Sequence, residues 1–157
     1  CLQPHHWYYV HGVRVHNKGC FLKDTEVTLA DGSRKQLKDI AIGDKVASWD
    51  EHAQQRAVST VRAAPTFQRR EDELVQVSLP SATIIATEDH PFWSRARRSL
   101  VSSHPNGTWR EYSLAAQLMG DGEELEGEQQ EAVGVLSVRR ARDSTASALQ
   151  LRQLRGA

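Results

Sequence analysis

Three short stretches of this sequence carry side chains that can do chemistry. Gly19-Cys20-Phe21 places a thiol directly after a glycine. Thr87-Glu88-Asp89-His90-Pro91-Phe92 sets a hydroxyl, two carboxylates and an imidazole side by side. Val15-His16-Asn17 ends on an imidazole next to a primary amide. A thiol, two histidines and an asparagine are what rearrangement of a peptide bond requires. The thiolate is the nucleophile; with a reference pKa of about 8.5 only a small fraction is ionised at neutral pH, so a neighbouring base or electropositive site has to help. A histidine can protonate the departing amide nitrogen, worth about 10²–10⁴ in rate. An asparagine amide can attack its own backbone carbonyl and cleave the chain after itself.

Each stretch also has a plainer explanation. A cysteine near a terminus is usually inert, and a histidine at a strand end is more often a hydrogen-bonded structural residue. Asp89 serves equally well as a turn residue. Cys20, His90 and a second histidine could hold zinc, but no tight ligand pair of the C-x₂-C kind accompanies them. The argument for catalysis is that the three stretches occur together.

The elements that must position them are strands. Residues 8–15 form a β-prone run broken at Gly12, which predicts a strand pair or one bent strand. Val27 and Leu29 alternate ahead of Asp31-Gly32, a hairpin signal. Further strand-like runs cover 57–61, 74–79, 83–87 and 132–138, and 114–119 reads as one short helix. Asn106-Gly107 marks a tight turn. Leu37, Ile42, Gly43 and Asp44 recur 77 positions later as Leu114, Met119, Gly120 and Asp121, the trace of an internal duplication. Past Asp121 the composition shifts. Residues 121–131 carry six acidic side chains and no basic one, and 139–155 carry five arginines and one aspartate. Both read as solvated loop and tail.

Composition narrows the functional classes. The 157 residues suffice for one domain, with or without a tail. Twenty Lys+Arg balance twenty Asp+Glu, which argues against a broad electrostatic grip on nucleic acid or an acidic membrane. No apolar run approaches the roughly 18 residues that span a bilayer. Two cysteines, Cys1 and Cys20, are too few for a disulfide-stapled miniprotein or a cysteine-rich zinc site. The chain opens on Cys1 rather than Met, which reads as a fragment of a longer polypeptide. No G-x-G-x-x-G or Walker pattern is present, so no nucleotide cofactor is expected, and the chemistry above needs none.

With these residues in view, the sequence resembles the Hint superfamily of hedgehog autoprocessing domains, inteins and bacterial intein-like domains. It is most similar to the bacterial forms found in secreted polymorphic toxins and other modular proteins. Cys20-Phe21-Leu22-Lys23-Asp24-Thr25-Glu26-Val27 with Asp31-Gly32, then Ile40-Ala41-Ile42-Gly43-Asp44-Lys45-Val46, looks like the family's opening block. Thr87-Glu88-Asp89-His90-Pro91-Phe92-Trp93 is similar to its T-x-x-H block, and 114–121 to the stretch that follows it. The resemblance implies an all-β, horseshoe-like fold with pseudo-two-fold symmetry and one short helix. It implies Cys20 as the nucleophile on the Gly19 carbonyl, giving an N-to-S acyl shift and a thioester. Thr87 and His90 would orient and protonate the amide, with Asp89 bonding a neighbour. The substrate would be the chain's own flanking polypeptide, in the setting of a secreted or surface bacterial multidomain protein.

One departure matters. In the family the aromatic strand ending in His-Asn closes the domain; here the matching segment, through His16-Asn17, comes first. Residues 1–19 are therefore either the tail of an upstream domain of the same kind or permuted strands of this one. Residues 20–138 are the body and 139–157 a tail, disordered or a lone helix. Lys18 follows Asn17 where splicing needs Cys, Ser or Thr, so cleavage is expected rather than splicing. The expected function is single-turnover self-cleavage. Its alternatives are a degenerate Hint fragment that folds without cutting, one that needs a complementary C-terminal segment from another chain, or a small zinc-binding interaction domain.

Overall fold

The structure, a computed structural model, describes residues 6–69, 73–141 and 149–156. In chain order its strands are β1 (Trp7–Val10), β2 (Val13–His16), β3 (Phe21–Leu22), β4 (Glu26–Thr28), β5 (Arg34–Gln36), β6 (Lys45–Asp50), β7 (Gln55–Ala63), β8 (Thr66–Arg69) and β9 (Leu74–Ser78). They continue with β10 (Thr83–Thr87), β11 (Phe92–Ser94), β12 (Ser99–Ser102), β13 (Gln117–Leu118), β14 (Glu124–Glu126), β15 (Ala132–Gly134), β16 (Ser137–Arg140), β17 (Leu149–Arg152) and β18 (Arg155–Gly156). A 3-10 turn covers Leu37–Asp39, and the single α-helix among the described residues, α1, is Pro105–Tyr112. No helix among the described residues is long and apolar enough to cross a membrane.

These strands form three sheets. The largest runs β13-β12-β11-β2-β1-β4-β5, with β14 and β15 attached to β11. The second runs β16-β9-β10-β3-β17-β8, and the third β18-β7-β6. The β1–β2 pair is a hairpin, and its turn follows from sequence. Val10 faces Val13, leaving His11 (φ 44°) and Gly12 (φ 82°) as a two-residue loop with both φ values positive, the geometry that suits a tight hairpin of right-twisted strands.

This hairpin occupies the middle of the largest sheet. Phe92 of β11 pairs with Val15 on one side, and Val27 of β4 with Val10 on the other. Both strands are buried along their whole length. One face delivers Tyr8, Val10, Val13 and Val15 to the main core, beside Phe21, Phe92, Leu37 and Leu125. The other holds Arg14, whose guanidinium lies 4.9, 5.1 and 5.0 Å from the rings of Trp7, Trp49 and Trp93.

Two expectations are corrected. The helix is at 105–112, not 114–119. His104 caps it, its Nδ1 accepting from the Gly107 N–H at 2.9 Å, Pro105 opens it, and Ser113 closes it in the left-handed conformation (φ 56°). Residues 114–119 contain no helix, and 117–118 within them form β13. The internal repeat is present but in a different register. Gly43 N–H donates to the Val61 carbonyl and Val61 N–H to that of Asp44, each at 2.8 Å; Gly122, Val135 and Glu123 repeat the pattern at the same distances. The equivalence thus runs 79 positions, from Gly43 to Gly122, and matches buried Ile40 to buried Met119. Ile42, the residue first aligned with Met119, is 72% exposed.

Of the stretch 139–157, residues 142–148 and 157 lie outside the described residues, as do 1–5 and 70–72. β17 pairs with both β3 and β8, and β18 with β7. The segment read as a tail thus adds strands to two sheets.

Candidate functional site

The site forms where β2, β3 and β10 end. Ala86 pairs with Phe21, which brings Thr87 beside Cys20. The Cys20 N–H, which belongs to the Gly19–Cys20 peptide, donates to Thr87 Oγ1 at 3.3 Å, and the Thr87 N–H donates to the Cys20 carbonyl at 3.0 Å. The chain then turns tightly, with the His90 N–H bonded to the Thr87 carbonyl at 3.0 Å, and this turn drops the His90 ring back towards Gly19. A Cβ built on Gly19 would lie 2.5 Å from His90 Nδ1 and 3.2 Å from its Cα. Gly19 also has φ +92°, where side chains are strained.

β2 delivers the third stretch to the same place. The His16 N–H bonds the Pro91 carbonyl at 3.2 Å, one residue past His90, and the Asn17 N–H bonds the His6 carbonyl at 2.7 Å. All six residues singled out from sequence, Cys20, Thr87, His90, His16, Asn17 and Asp89, therefore converge. Asp89 accepts from the Tyr112 hydroxyl at 3.2 Å, and its carbonyl accepts from Thr108 Oγ1 at 2.8 Å. Through these two bonds α1 braces the turn that carries His90. Among the described residues no cluster of three His, Cys, Asp or Glu side chains is placed to hold a metal.

Burial sets the electrostatics. His90 is fully enclosed, its ring 4.0 Å from that of Phe21 and 5.4 Å from that of Phe92 between centroids. Desolvation, with His16 as a like-charged neighbour, depresses its pKa to about 3, against a smaller opposing effect of the His16 carbonyl. His16 is depressed to about 4, again mainly by burial, then by His6 and Lys18. Neither His90 nitrogen, nor His16 Nδ1, nor Asn17 Oδ1 makes a well-formed hydrogen bond to described protein atoms. Burial pushes the Cys20 thiol up to about 11; Arg69 and Arg155 pull it down and Asp89 opposes them. His90, His16 and Cys20 therefore rest uncharged at neutral pH: two neutral imidazoles and a protonated thiol.

Two clefts open from Cys20. One, about 290 Å³, is lined by Thr87, Asp89, Glu73, His104 and Arg110. The other, about 620 Å³, is lined by His6, Asn17, Lys18, Phe67 and Arg155. Arg69, Glu111 and Tyr112 border both.

The geometry invites comparison with known proteins. The Hint module family model matches residues 8–139. The chain belongs to the Hint module family. Similar solved structures agree in fold. A bacterial intein-like domain from Clostridium thermocellum is 19% identical with a TM-score of 0.64, over 89% of this chain and 88% of that one. A DnaB intein from Synechocystis sp. PCC 6803 is 13% identical with a TM-score of 0.61, over 88% of each. The gp41-1 intein is 16% identical with a TM-score of 0.60, over 89% and 88%. No curated protein sequence matches the chain significantly. The expected all-β fold with one short helix is thus the fold of this Hint module, and family membership supports an autoprocessing-type function in general.

Sequence reasoning passed over two side chains of the site. His6 stacks on His16 with centroids 5.5 Å apart and planes 5° from parallel, and its place in the histidine-rich opening was the available signal. Tyr112 carried none, since its importance comes from how α1 docks on the 87–90 turn. The fit at Gly19 yields a first prediction. Gly19→Ala is expected to displace His90, which cannot retreat between Phe21 and Phe92, and to cost about 1–2 kcal/mol for the left-handed backbone alone. Thermal melts should show the loss; an unchanged midpoint would mean the 19–90 contact is not tight.

Proposed function

We propose that this Hint module cleaves its own backbone at two bonds, Gly19–Cys20 and Asn17–Lys18, as a single-turnover enzyme. The observation that carries the reading is that Cys20, bonded to Thr87 and followed in space by the His90 ring against Gly19, borders a cleft with Asn17, although the two groups come from opposite sides of Lys18. On this reading the hairpin at 6–17 supplies in permuted order the strands that other members place last, and no complementary segment from another chain is needed.

At the first bond, Cys20 Sγ attacks the Gly19 carbonyl. The absence of a side chain on Gly19 lets His90 approach. The Thr87 hydroxyl holds the amide N–H and fixes the plane of the bond. The oxyanion developing beside the ring raises the imidazole's proton affinity, so His90 takes up from solvent the equivalent of the proton the thiol released; as the C–N bond weakens the nitrogen becomes as basic as an amine, and His90 passes it that proton. The product is a thioester between Gly19 and Cys20. At the second bond, the Asn17 side-chain amide closes on its own carbonyl, with His16 adjacent to shuttle the proton. Asp89, held by Tyr112, is a positioning residue for the turn.

Intact-mass measurement under denaturing conditions, with and without dithiothreitol, tests this. Cleavage at Gly19–Cys20 should be accelerated by the thiol and abolished in Cys20→Ala, while cleavage at Asn17–Lys18 should persist in that variant and vanish in Asn17→Ala. An uncut chain in every sample would favour a Hint domain that folds without cutting.

A further inference from the structure

A thioester on Cys20 needs an acyl acceptor, and the segment between the two cleavage points offers one. Asn17 and Cys20 are pinned, Asn17 through the His6 carbonyl at 2.7 Å and Cys20 through two bonds to Thr87 at 3.3 and 3.0 Å. Between them lie only Lys18 and Gly19, whose main-chain groups make no hydrogen bond among the described residues. Lys18 is exposed, and Asn17, Lys18 and Cys20 border one cleft. Lys18 has neither hydroxyl nor thiol, so the nucleophile that cleavage after Asn17 creates next to the thioester is its α-amine.

We propose that the Lys18 α-amine is the acyl acceptor, and that the module excises Lys18-Gly19 as a cyclic dipeptide, a diketopiperazine. This rests on the two cleavages proposed above. The atoms balance. The Asn17 side-chain nitrogen bonds its own carbonyl carbon, the C–N bond to Lys18 breaks, and the displaced proton goes to the Lys18 amine. At the other end the Sγ–carbonyl bond replaces the Gly19–Cys20 C–N bond, and the Cys20 amine takes the thiol proton. The Lys18 amine nitrogen then bonds the Gly19 carbonyl carbon, the C–S bond breaks, and the amine proton passes to the thiolate. Water, oxidant and cofactor are not consumed, so the three products sum to the mass of the starting chain.

Ring closure has physical support. Amine and thioester belong to one dipeptide, and intramolecular attack of this kind reaches effective molarities of about 10⁵–10⁸ M when well oriented. The requirement is that the Lys18–Gly19 amide turn cis, at about 2.5–4 kcal/mol over a barrier of about 18–20 kcal/mol. Once Asn17 has let go, no bond to the protein other than the thioester restrains that rotation. Lys18 Nζ would have to close a much larger ring and is the poorer competitor.

The test follows the full chain made by cell-free synthesis, with the small-molecule and protein fractions weighed over time. The wild type should give the cyclic Lys-Gly dipeptide in equimolar amount with two fragments, 1–17 and 20–157. Lys18→Arg, an exposed change, should move the small product to the arginine-containing ring. Asn17→Ala and Cys20→Ala should each yield none, the first giving a fragment 1–19 on addition of thiol and the second a fragment beginning at Lys18. Linear Lys-Gly, one water heavier, would overturn the proposal while leaving both cleavages standing. So would residues 18 and 19 remaining on the first fragment after the chain is cut at Cys20. No cut in any variant would overturn the autoprocessing reading, and the cyclic product with it.

Discussion

Thiol-dependent cleavage at Gly19–Cys20 is expected to accelerate about tenfold for each pH unit between 7 and 10, about 1000-fold in all, with no falling limb in that window. The cause is the burial of Cys20, which holds its thiol near 11 despite Arg69 and Arg155. A raised thiol pKa means the protonated, unreactive form persists through neutral pH. Each unit of alkalinity then multiplies the thiolate until the pKa is passed. His90 cannot substitute as the base, because its own pKa of about 3 makes proton transfer from the thiol steeply unfavourable; the proton must leave to solvent. Thiolate attack precedes proton delivery and is taken as the slow step, so the neutral His90 imposes no opposing limb; were collapse of the adduct slow instead, the falling imidazolium fraction would cancel the rise in thiolate. His90→Gln should make collapse of the adduct slow and lower the rate about 10²–10⁴-fold; with water as the proton donor the rate still follows the thiolate, so the slope stays. Quenched time courses across the pH range would decide. A flat profile would mean that Cys20 is deprotonated by an internal partner or that collapse rather than attack is slow, and a bell near neutrality would mean a paired thiolate and imidazolium, none of which is expected of a neutral thiol beside a neutral imidazole with attack as the slow step.

The candidate catalytic stretches were legible because their chemistry is local in sequence. Thr87 and His90 lie on one turn, and Gly19-Cys20 and His16-Asn17 are each adjacent pairs. What the sequence did not show is decided by packing. Arg14 alternates with Val13 and Val15 as on a strand with one solvated face, yet it is buried in the middle of a sheet, where three tryptophan rings distant in sequence accommodate its charge. α1 was missed because Asn106, Gly107 and Thr108 are weak helix formers, and what holds them is tertiary: Thr108 Oγ1 lies 2.6 Å from Ser102 Oγ and donates to the Asp89 carbonyl. The repeat was aligned two residues out because Gly-Asp recurs at 120–121, whereas the sharp exit with positive φ falls at Gly122. Residues 149–152 alternate as Leu-Gln-Leu-Arg, but over only four positions; what makes them a strand is insertion between β3 and β8, partners distant in sequence.

Cutting the chain at either bond is expected to leave one particle in native buffer, and only denaturation should separate the pieces. The hairpin that cleavage detaches is central rather than terminal in space, bonded to β11 on one side and β4 on the other. It buries Trp7, Tyr8 and Tyr9 along with Val10, Val13 and Val15. An aromatic side chain buries about 150–250 Å², so at about 25 cal/mol/Å² each of the three contributes up to roughly 4–6 kcal/mol to holding the nicked halves together. What the cut removes is the tether. A short linker presents its partner at an effective concentration of about 1 mM, so at about 1 μM protein its loss costs about 4 kcal/mol. The nicked module should therefore elute as one peak, run as two bands on a denaturing gel, and melt at a midpoint that falls with dilution, where the intact chain's does not. Dissociation of residues 6–17 in native buffer would show the hairpin to be a loosely held arm. In the expected case, a protein fused ahead of the hairpin stays attached after its peptide bond is gone, so self-cleavage alone would not free it until the sheet is opened.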